Sequence, residues 1–362
     1  MLLGEQRRIR RLRRAMERDD VDAAVVSPGP DLRYFTGYEA NPSERLTALV
    51  VQPTAEPVLL VPTLEARRVG NVDIEVRAWE ETEDPVALIA KLVPDPGAVA
   101  VADHMWSAFL MRFSDEWRHA EWLPLSELTA PLRMRKDQEE VVALRGAAQA
   151  VDQVMKRIPK EVKFAGRTER EVARHIAEMT LEEGHDTAEF TIVAAGPNGA
   201  SPHHEPGTRV IEKGDLVVCD FGGRRNGYYS DCTRTFSVGR PSPLQAEVHR
   251  IVRTANEAGR DSARPGVACE EVDRRARQVV ADAGYGPNFI HRTGHGIGLE
   301  VHEQPYIVEG NDQPLEPGMA FSVEPGIYME GMLGVRIEDI VVCTENGAET
   351  LNQAPRDLVV VR

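Results

Sequence analysis

"GDLVVCDFGGRRNGYYSDCTRTFSV", residues 214–238, decides how the rest of the chain is read. Apolar runs flank Arg224-Arg225-Asn226-Gly227, and an Asn-Gly pair between such runs is a strong β-hairpin signal. Asp220 and Asp231 lie eleven residues apart across that turn. A four-residue loop sets them directly opposite each other, and a two-residue Asn-Gly loop sets them one diagonal step apart. In both cases the carboxylates share one face of the sheet. Like charges side by side destabilise a hairpin unless something positive lies between them. The bland reading is a pair of solvated acids on an exposed sheet face. The sharper one is a cation site.

A second acid-bearing hairpin follows in "AFSVEPGIYMEGMLGVRIEDIVV" (320–342). Glu324 and Glu338 are fourteen residues apart, an even spacing. Same-face placement then requires an odd loop or a bulge, which the turn around Gly331 can supply. Pro325 marks Glu324 as the end of a strand or a bulge. The two hairpins also belong to a weak internal repeat. "TEREVARHIAEMTLEEG" (168–184) matches "ACEEVDRRARQVVADAG" (268–284) at an offset of 100 positions. "IEKGDLVVCDFGG" (211–223) matches "LEPGMAFSVEPGI" (315–327) at an offset of 104, which aligns Asp220 with Glu324. A repeat of that length implies a duplicated helix-plus-hairpin half, not a solenoid.

Between the hairpins lies "HRTGHGIGLEVHE" (291–303), in which His295 is surrounded by Gly294, Gly296 and Gly298. Glycines this dense indicate backbone that must approach something closely, not a helix. Two Asp, two Glu and one His on converging hairpins would put four negative charges in one cavity. Such a set cannot all ionise at neutral pH without cations, and two divalent ions cancel the charge. Oxygen-rich ligation with one imidazole suits Mn, Co, Mg or Zn. A two-metal site of this kind activates water and stabilises an oxyanion, which fits hydrolysis.

The rest of the sequence sets bounds. A chain of 362 residues with a net charge of −15 is long enough for one large or two ordinary domains, and it argues against a nucleic-acid binder. No apolar run reaches the length of a membrane span. "RRIRRLRR" (7–14) reads as an amphipathic opening helix, with Ile9, Leu12 and Met16 on one face. It lacks the apolar core that an export signal would need. Four cysteines (Cys219, Cys232, Cys269, Cys343) form no CxxC pattern and read as reduced, packed thiols of a cytoplasmic protein. "DAAVVS" (22–27), "LTALVV" (46–51), "PVLLVP" (57–62) and "AVAVAD" (98–103) read as strands of a small α/β domain. Pro131 is expected to break the pattern at a seam, with a charged helix starting near Asp137. The expected division is 1–131 and 132–362.

The ordered set Asp220, Asp231, His295, Glu324, Glu338 resembles the dinuclear metallopeptidase family that contains prolidase, aminopeptidase P and methionine aminopeptidase. "DFGGRRNGYYSDCTRTF", "TGHGIGLEVHE", "SVEPGIY" and "RIEDIVV" carry the likeness. The resemblance implies an α/β (α+β) architecture, with an N-terminal creatinase/prolidase-like α/β domain before a pseudo-duplicated pita-bread catalytic domain. It implies Asp231 and Glu338 as bridging ligands, Asp220 on one metal, and His295 with Glu324 on the other. Glu324 would also be the general base. His203 matches the substrate-side histidine, with adjacent His204 leaving the register open by one. His302 matches the histidine that steadies the tetrahedral intermediate. Tyr328 and Arg336 match groups around Glu324 and Glu338 near the substrate, and His291 is a candidate substrate contact or a satisfied histidine of the pocket wall. Two divalent ions are implied, manganese first, with cobalt or zinc as alternatives.

The implied reaction is hydrolysis of the peptide bond before proline. Xaa-Pro dipeptides are the first substrate class, and longer peptides, as for aminopeptidase P, are the alternative. Creatinase-like enzymes and binding proteins on the same fold lack metals or ligands, whereas all five ligands are intact here. The resemblance further implies a homodimer acting on small peptides with proline second, with neither nucleic acid nor membrane as partner. In one respect the sequence departs. Several prolidases place an arginine after the second histidine to grip the dipeptide carboxylate, but here Tyr306 stands at that position, and no Lys or Arg occurs from 301 to 335. Arg45, in the irregular loop "TGYEANPSER" (36–45), is the candidate replacement, reaching a neighbouring subunit's site in the dimer that the resemblance implies, against a plainer reading as a solvated loop arginine.

Overall fold

The computed structural model describes residues 2–362, with side chains from Gly4 onward. The chain forms two compact units, Met1–Arg133 and Met134–Arg362. The first is built on a six-stranded sheet of β1 (Ala23–Val26), β2 (Ala48–Val51), β3 (Val58–Pro62), β4 (Glu75–Trp79), β5 (Ala98–Val101) and β6 (Glu121–Pro124). Their order is β4-β3-β2-β1-β5-β6, with β1 antiparallel to β2 and parallel to β5. The four apolar runs of the sequence are the four inner strands. β4 and β6 are the edges, where a strand needs no continuous apolar run, so their sequences "EVRAW" and "EWLP" gave no strand signal.

Helices α1 (Leu2–Arg18), α2 (Pro30–Thr36), α3 (Pro85–Leu92), α4 (Ser107–Glu116) and α5 (Ser126–Met134) complete this part of the chain. Ile9, Leu12 and Met16 of α1 are buried, as its amphipathic pattern requires. Pro131 does not end a helix: α5 runs through it to Met134. Proline there removes one backbone donor near the helix end, and the turns on either side still form.

The second unit opens with α6 (Gln138–Glu161), capped by Asp137 in a reciprocal capping box with Glu140, as the charged start of that helix suggested. α7 (Glu169–Glu182) leads to β7 (Thr187–Ala195), β8 (Leu216–Arg225), β9 (Tyr228–Tyr229) and β10 (Cys232–Val238). α8 (Pro243–Ser262) and α9 (Cys269–Asp282) precede β11 (Gly294–Gly296), β12 (Glu303–Ile307), β13 (Ala320–Val323), β14 (Gly326–Met329), β15 (Leu333–Arg336), β16 (Asp339–Thr344), β17 (Gly347–Thr350) and β18 (Val359–Val361). One sheet runs β18-β10-β8-β7 with β9 paired to β8, another runs β12-β11-β13-β16-β17, and β14-β15 form a ribbon. Val151, Ile158, Val172 and Ile176 of α6 and α7 pack with Phe221 and Phe236 of the first sheet. Val248, Ile251 and Val280 of α8 and α9 pack with Ile327 and Val335 of the ribbon.

The internal repeat is visible in the backbone. α7 and α9 are offset by 100 positions, each is entered through an isolated bridge (Thr168–Val210, Ala268–Pro314), and each ends at a left-handed glycine, Gly184 or Gly284. Gly214 and Gly318, which open the two hairpins, have φ of 101° and 92°. Only glycine takes such values without strain, so the duplicated turns explain why these letters recur.

Candidate metal centre

The first hairpin adopts the two-residue alternative. Arg225 pairs with Tyr228, which leaves Asn226-Gly227 as the loop with φ of 51° and 85°. Left-handed values at both positions match the twist of the flanking strands. Asp220 then pairs with Thr233, and Asp231, one residue before β10, lies one diagonal step away. A side chain at Gly222 would collide with the Ser230 carbonyl, so glycine permits the chain to turn back this tightly ahead of Asp231.

The second hairpin uses an odd loop and needs no bulge. Met329 pairs with Leu333 around the three residues Glu330–Met332, with Gly331 at φ 72°. Val323 pairs with Asp339 and Gly326 with Arg336, so the common register carries Glu324 opposite Glu338. At those two positions the ladder opens and each backbone turns to another strand. The Glu324 N–H donates to the Thr293 carbonyl at 2.8 Å, and the Glu338 N–H to the Thr233 carbonyl at 3.1 Å. The second bond ties the glutamate hairpin to the aspartate hairpin.

His295 reaches the same place from β11. Gly294 and Gly296 on either side lie against the backbones of Ser322 and Gln304, where a side chain would clash. The His295 imidazole stands 3.3 Å from Glu324 and 3.7 Å from Asp231 through Nε2, with Nδ1 3.1 Å from the Gly296 carbonyl. Ligand atoms of Asp231, His295 and Glu338 all lie within 4.8 Å of one another.

These residues line one cavity of about 670 Å³ with Asp220, Glu324, His203, His291, Arg292, His302, Arg336, Phe190, Ile192, Pro202 and Val301. Of the two adjacent histidines, His203 lines the cavity, while His204 Nε2 is 2.8 Å from buried Glu169. Tyr328 lies behind the wall. Its hydroxyl is 2.8 Å from His291 Nε2 and accepts from Arg336 Nη1 at 2.8 Å. Arg336 further donates to Asp220 at 2.6 Å, to Thr233 Oγ1 at 3.2 Å and to the Pro202 carbonyl at 3.2 Å. Thr233, which the sequence reading passed over, gives its hydroxyl proton to Glu338 at 2.7 Å. Arg45 is not in the cavity lining. It lies in the first unit, bonded to Glu81 at 2.6 Å and to Glu44.

The electrostatics of the cluster are unbalanced. Burial, then the charges of Glu338, Asp220 and Glu324, push the Asp231 carboxyl well above its usual range. Burial, then Glu324 and Asp220, do the same to Glu338. Burial would also raise Glu324, but His295, His291 and Arg336 outweigh it and hold that carboxyl down at about 2. Burial lowers His291, and burial with the neighbouring His295 lowers His302. Arg336 stays charged although it is buried, because Tyr328, Asp220 and Glu324 outweigh its desolvation.

The matches to known proteins fit this geometry. Residues 142–345 match the model of metallopeptidase family M24, and residues 8–135 match the Creatinase/Prolidase N-terminal domain. This chain belongs to metallopeptidase family M24. It is 44% identical over 344 residues to a Mycobacterium tuberculosis protein named "Probable dipeptidase PepE", covering 93% of this chain and 91% of that protein. It is 38% identical to the "Xaa-Pro dipeptidase" of Lactobacillus helveticus, covering 97% and 98% of the two chains. Its fold matches the crystal structure of recombinant prolidase from Thermococcus sibiricus with a TM-score of 0.93 at 37% identity, over 98% and 99% of the two chains. The second unit is thus the pita-bread fold of an M24 hydrolase, and the first a creatinase/prolidase-type domain.

The family implies divalent cations, and the residues fit them. Asp220 Oδ1, Asp231 Oδ1 and Glu338 Oε1 are buried without a hydrogen-bond partner, which is costly for carboxylates unless a cation meets them. Among the described residues, no helix is long and apolar enough to cross a membrane.

Proposed function

We propose that this chain is a metal-dependent Xaa-Pro dipeptidase, hydrolysing the bond before proline in a free dipeptide. The observation that carries the reading is the pair of facing acid hairpins whose unpartnered oxygens open on one cavity, in a chain 38% identical to a protein named Xaa-Pro dipeptidase. Asp231 and Glu338 would bridge two divalent cations, with Asp220 on one and His295 and Glu324 on the other, and manganese is the preferred ion. When bound, the cations supply Lewis acidity and lower the pKa of water.

The chain's own residues supply the rest. Glu324 remains ionised and accepts a proton from the attacking water. His203 and His302 face the cavity and donate hydrogen bonds to the substrate oxygen as its carbon becomes tetrahedral. Phe190, Ile192 and Val301 provide apolar wall for a proline ring and its neighbour. Thr233 and Arg336 orient Glu338 and Asp220, the task that hydrogen-bonded neighbours perform for metal-binding carboxylates. A bond to proline is a tertiary amide without an N–H, so a site that attacks it relies on the carbonyl and the two chain ends. Four buried free cysteines accord with a reduced cytoplasmic setting, and the family resemblance supports a homodimer.

The test is initial rates with added Mn²⁺ on Leu-Pro, its C-terminal amide and a Leu-Pro-Xaa tripeptide, with a chelator control. Fast cleavage of the free dipeptide alone upholds the reading. Comparable or faster cleavage of the tripeptide replaces it with an aminopeptidase P activity.

A further inference from the structure

We propose that Glu169, the first residue of α7, is a positioning residue that holds His203 at the cavity wall through the loop between β7 and β8. The proposal rests on the reading of His203 as a donor to the substrate, and adds the group on which the placement of that donor depends.

Glu169 is fully buried, and its two oxygens accept from four groups. Oε1 accepts from the Ala195 N–H at 2.9 Å and from Asn198 Nδ2 at 3.0 Å. Oε2 accepts from His204 Nε2 at 2.8 Å and from the Gly207 N–H at 3.2 Å. All of these donors belong to residues 195–207, the stretch that leaves β7 and carries His203 into the cavity lining. Burial alone would raise the carboxyl, but these donors outweigh it and keep the group below its usual range. An ionised carboxylate offers only acceptors, so His204 presents Nε2–H to it.

The helix does not need this acid. Thr168 and Glu171 form the capping box of α7 without it. The second half of the internal repeat manages with an uncharged residue in its place. Cys269 stands 100 positions on, and its N–H meets the Gln313 carbonyl at 2.9 Å as the Glu169 N–H meets that of Arg209 at 3.0 Å. The Cys269 side chain packs in an apolar cluster with Ala263, Val272, Leu315 and Phe321. The same backbone site thus takes an apolar contact in one half and a buried charge in the other. A buried carboxylate is destabilising unless its donors are in place, so Glu169 favours the one conformation of the loop that brings all of them to it.

His203 depends on such a tie. Its side chain is exposed to the cavity, and among the described residues its imidazole makes no hydrogen bond, so the backbone alone aims it. The His204 N–H closes a turn on the Ser201 carbonyl at 3.2 Å, and the His204 ring fastens the end of that turn to Glu169. Before it in the chain, the Pro202 carbonyl accepts from Arg336 at 3.2 Å. His203 lies between these two anchors. A donor to a developing oxyanion acts only over hydrogen-bond distance, so a small displacement of the loop removes its effect.

The experiment is a double-mutant cycle of wild type, Glu169→Gln, His203→Asn and the double variant, with kcat, KM and metal content measured in added Mn²⁺. Glu169→Gln is expected to lower kcat about 10- to 100-fold, the loss that a displacement of about 1 Å produces, with KM and metal content close to wild type. The double variant should be no slower than His203→Asn, since both changes remove the same placed donor. Glu169→Cys copies the residue of the other half, should behave as Glu169→Gln, and carries the comparison if the latter does not fold. Losses that multiply in the double variant, or a Glu169→Gln defect confined to KM or metal content, overturn the proposal. So does full kcat in Glu169→Gln beside a slow His203→Asn. A His203→Asn enzyme as fast as wild type also overturns it, by removing the role that Glu169 serves, while hydrolysis of Leu-Pro stands. The cycle is run on Leu-Pro and on Leu-Pro-Xaa. If wild type cleaves only the tripeptide, the dipeptidase reading fails, and the cycle on the tripeptide upholds or overturns Glu169 by the same criteria.

Discussion

Glu338 and Asp339 are neighbours in the chain, both almost fully buried, and their surroundings are opposite. Asp339 accepts from Arg234 at 2.8 Å and from Arg356 at 2.6 Å, with Arg260 at 3.8 Å. Burial would raise its pKa, but Arg234 and Arg356 outweigh it and keep the carboxyl below its usual range. Glu338 has one hydroxyl donor, one buried oxygen without a partner and a pKa pushed well up. Adjacent strand residues point to opposite faces, so one backbone step separates the two environments. The difference teaches how to tell a structural buried acid from a ligand. Where the fold supplies the cations, the charge is already balanced. Where it supplies only acids, the missing charge must come from outside.

The first way to break this contrast is to remove that outside charge. Dialysis against a chelator should lower the rate on Leu-Pro by about three orders of magnitude or more, with recovery on adding Mn²⁺, since water activation is lost with the ions. Metal content measured alongside the rates should fall with activity. A chelated protein that retains full rate would mean that the acid cluster is not a metal centre.

The second way is to neutralise each acid in the chelated protein. Asp339→Asn leaves the buried Arg234 and the half-buried Arg356 without their charged partner, which should cost about 3–5 kcal/mol in urea unfolding. Glu338→Gln relieves repulsion within the acid cluster and should leave the chelated protein as stable as before, or more so. In the loaded enzyme the order reverses: Glu338→Gln should lose metal, while Asp339→Asn should keep it as long as it folds. Equal destabilisation of the chelated protein by the two substitutions would erase the distinction drawn between them.

The contrast is sharpened by a milder change at Thr233, whose hydroxyl serves Glu338 and accepts from Arg336. Thr233→Val keeps the shape of the side chain and removes both bonds. Metal affinity should fall about 10- to 100-fold, the usual loss when a hydrogen bond that orients a ligand is deleted. Competition with a metal-sensitive dye would read this directly, and an unchanged affinity would mean that Thr233 does not position Glu338.

Much of this site was legible before any coordinates. The odd sum of paired positions in the first hairpin and the even sum in the second follow from strand periodicity, and that arithmetic needed only the loop lengths to be completed. Asn226-Gly227 and Gly331 supplied those lengths through the φ values that their residue types allow. Thr233 was readable on the same rule, because it follows Asp231 by two positions and lies on its face, but nothing in its letter said that Glu338 would arrive there. Arg292 and Tyr306 are harder. The Arg292 guanidinium stacks on the Tyr306 ring, 4.3 Å from its centroid, a contact from the segment before β11 to β12 that strand periodicity does not encode. The same limit explains β4 and β6, whose edge positions free them from the apolar pattern that betrayed the inner strands.

A third kind of buried ionisable group completes the comparison, one that avoids charge altogether. His249 of α8 is 4% exposed, and burial, aided by Arg253, lowers its pKa to about 4, with Asp357 opposing. In the unfolded chain it titrates near its ordinary value of 6.5. Between those values the unfolded state binds a proton that the folded state refuses, so the unfolded state gains as pH falls and stability declines. The stabilising effect is therefore fully present above about pH 7 and is lost progressively toward pH 4. Between pH 7 and 5.5 the loss from this group should be about 1 kcal/mol. Replacing it with a neutral side chain, as in His249→Asn, lowers stability at pH 7 through lost packing, but the slope with pH should flatten by that amount. The measurement is urea unfolding of the metal-loaded protein at both pH values, at an ion concentration that keeps the acid cluster saturated. A slope identical to that of wild type would show that His249 accepts its proton in the folded state, so that its buried surroundings tolerate charge as the arginine-lined pocket of Asp339 does.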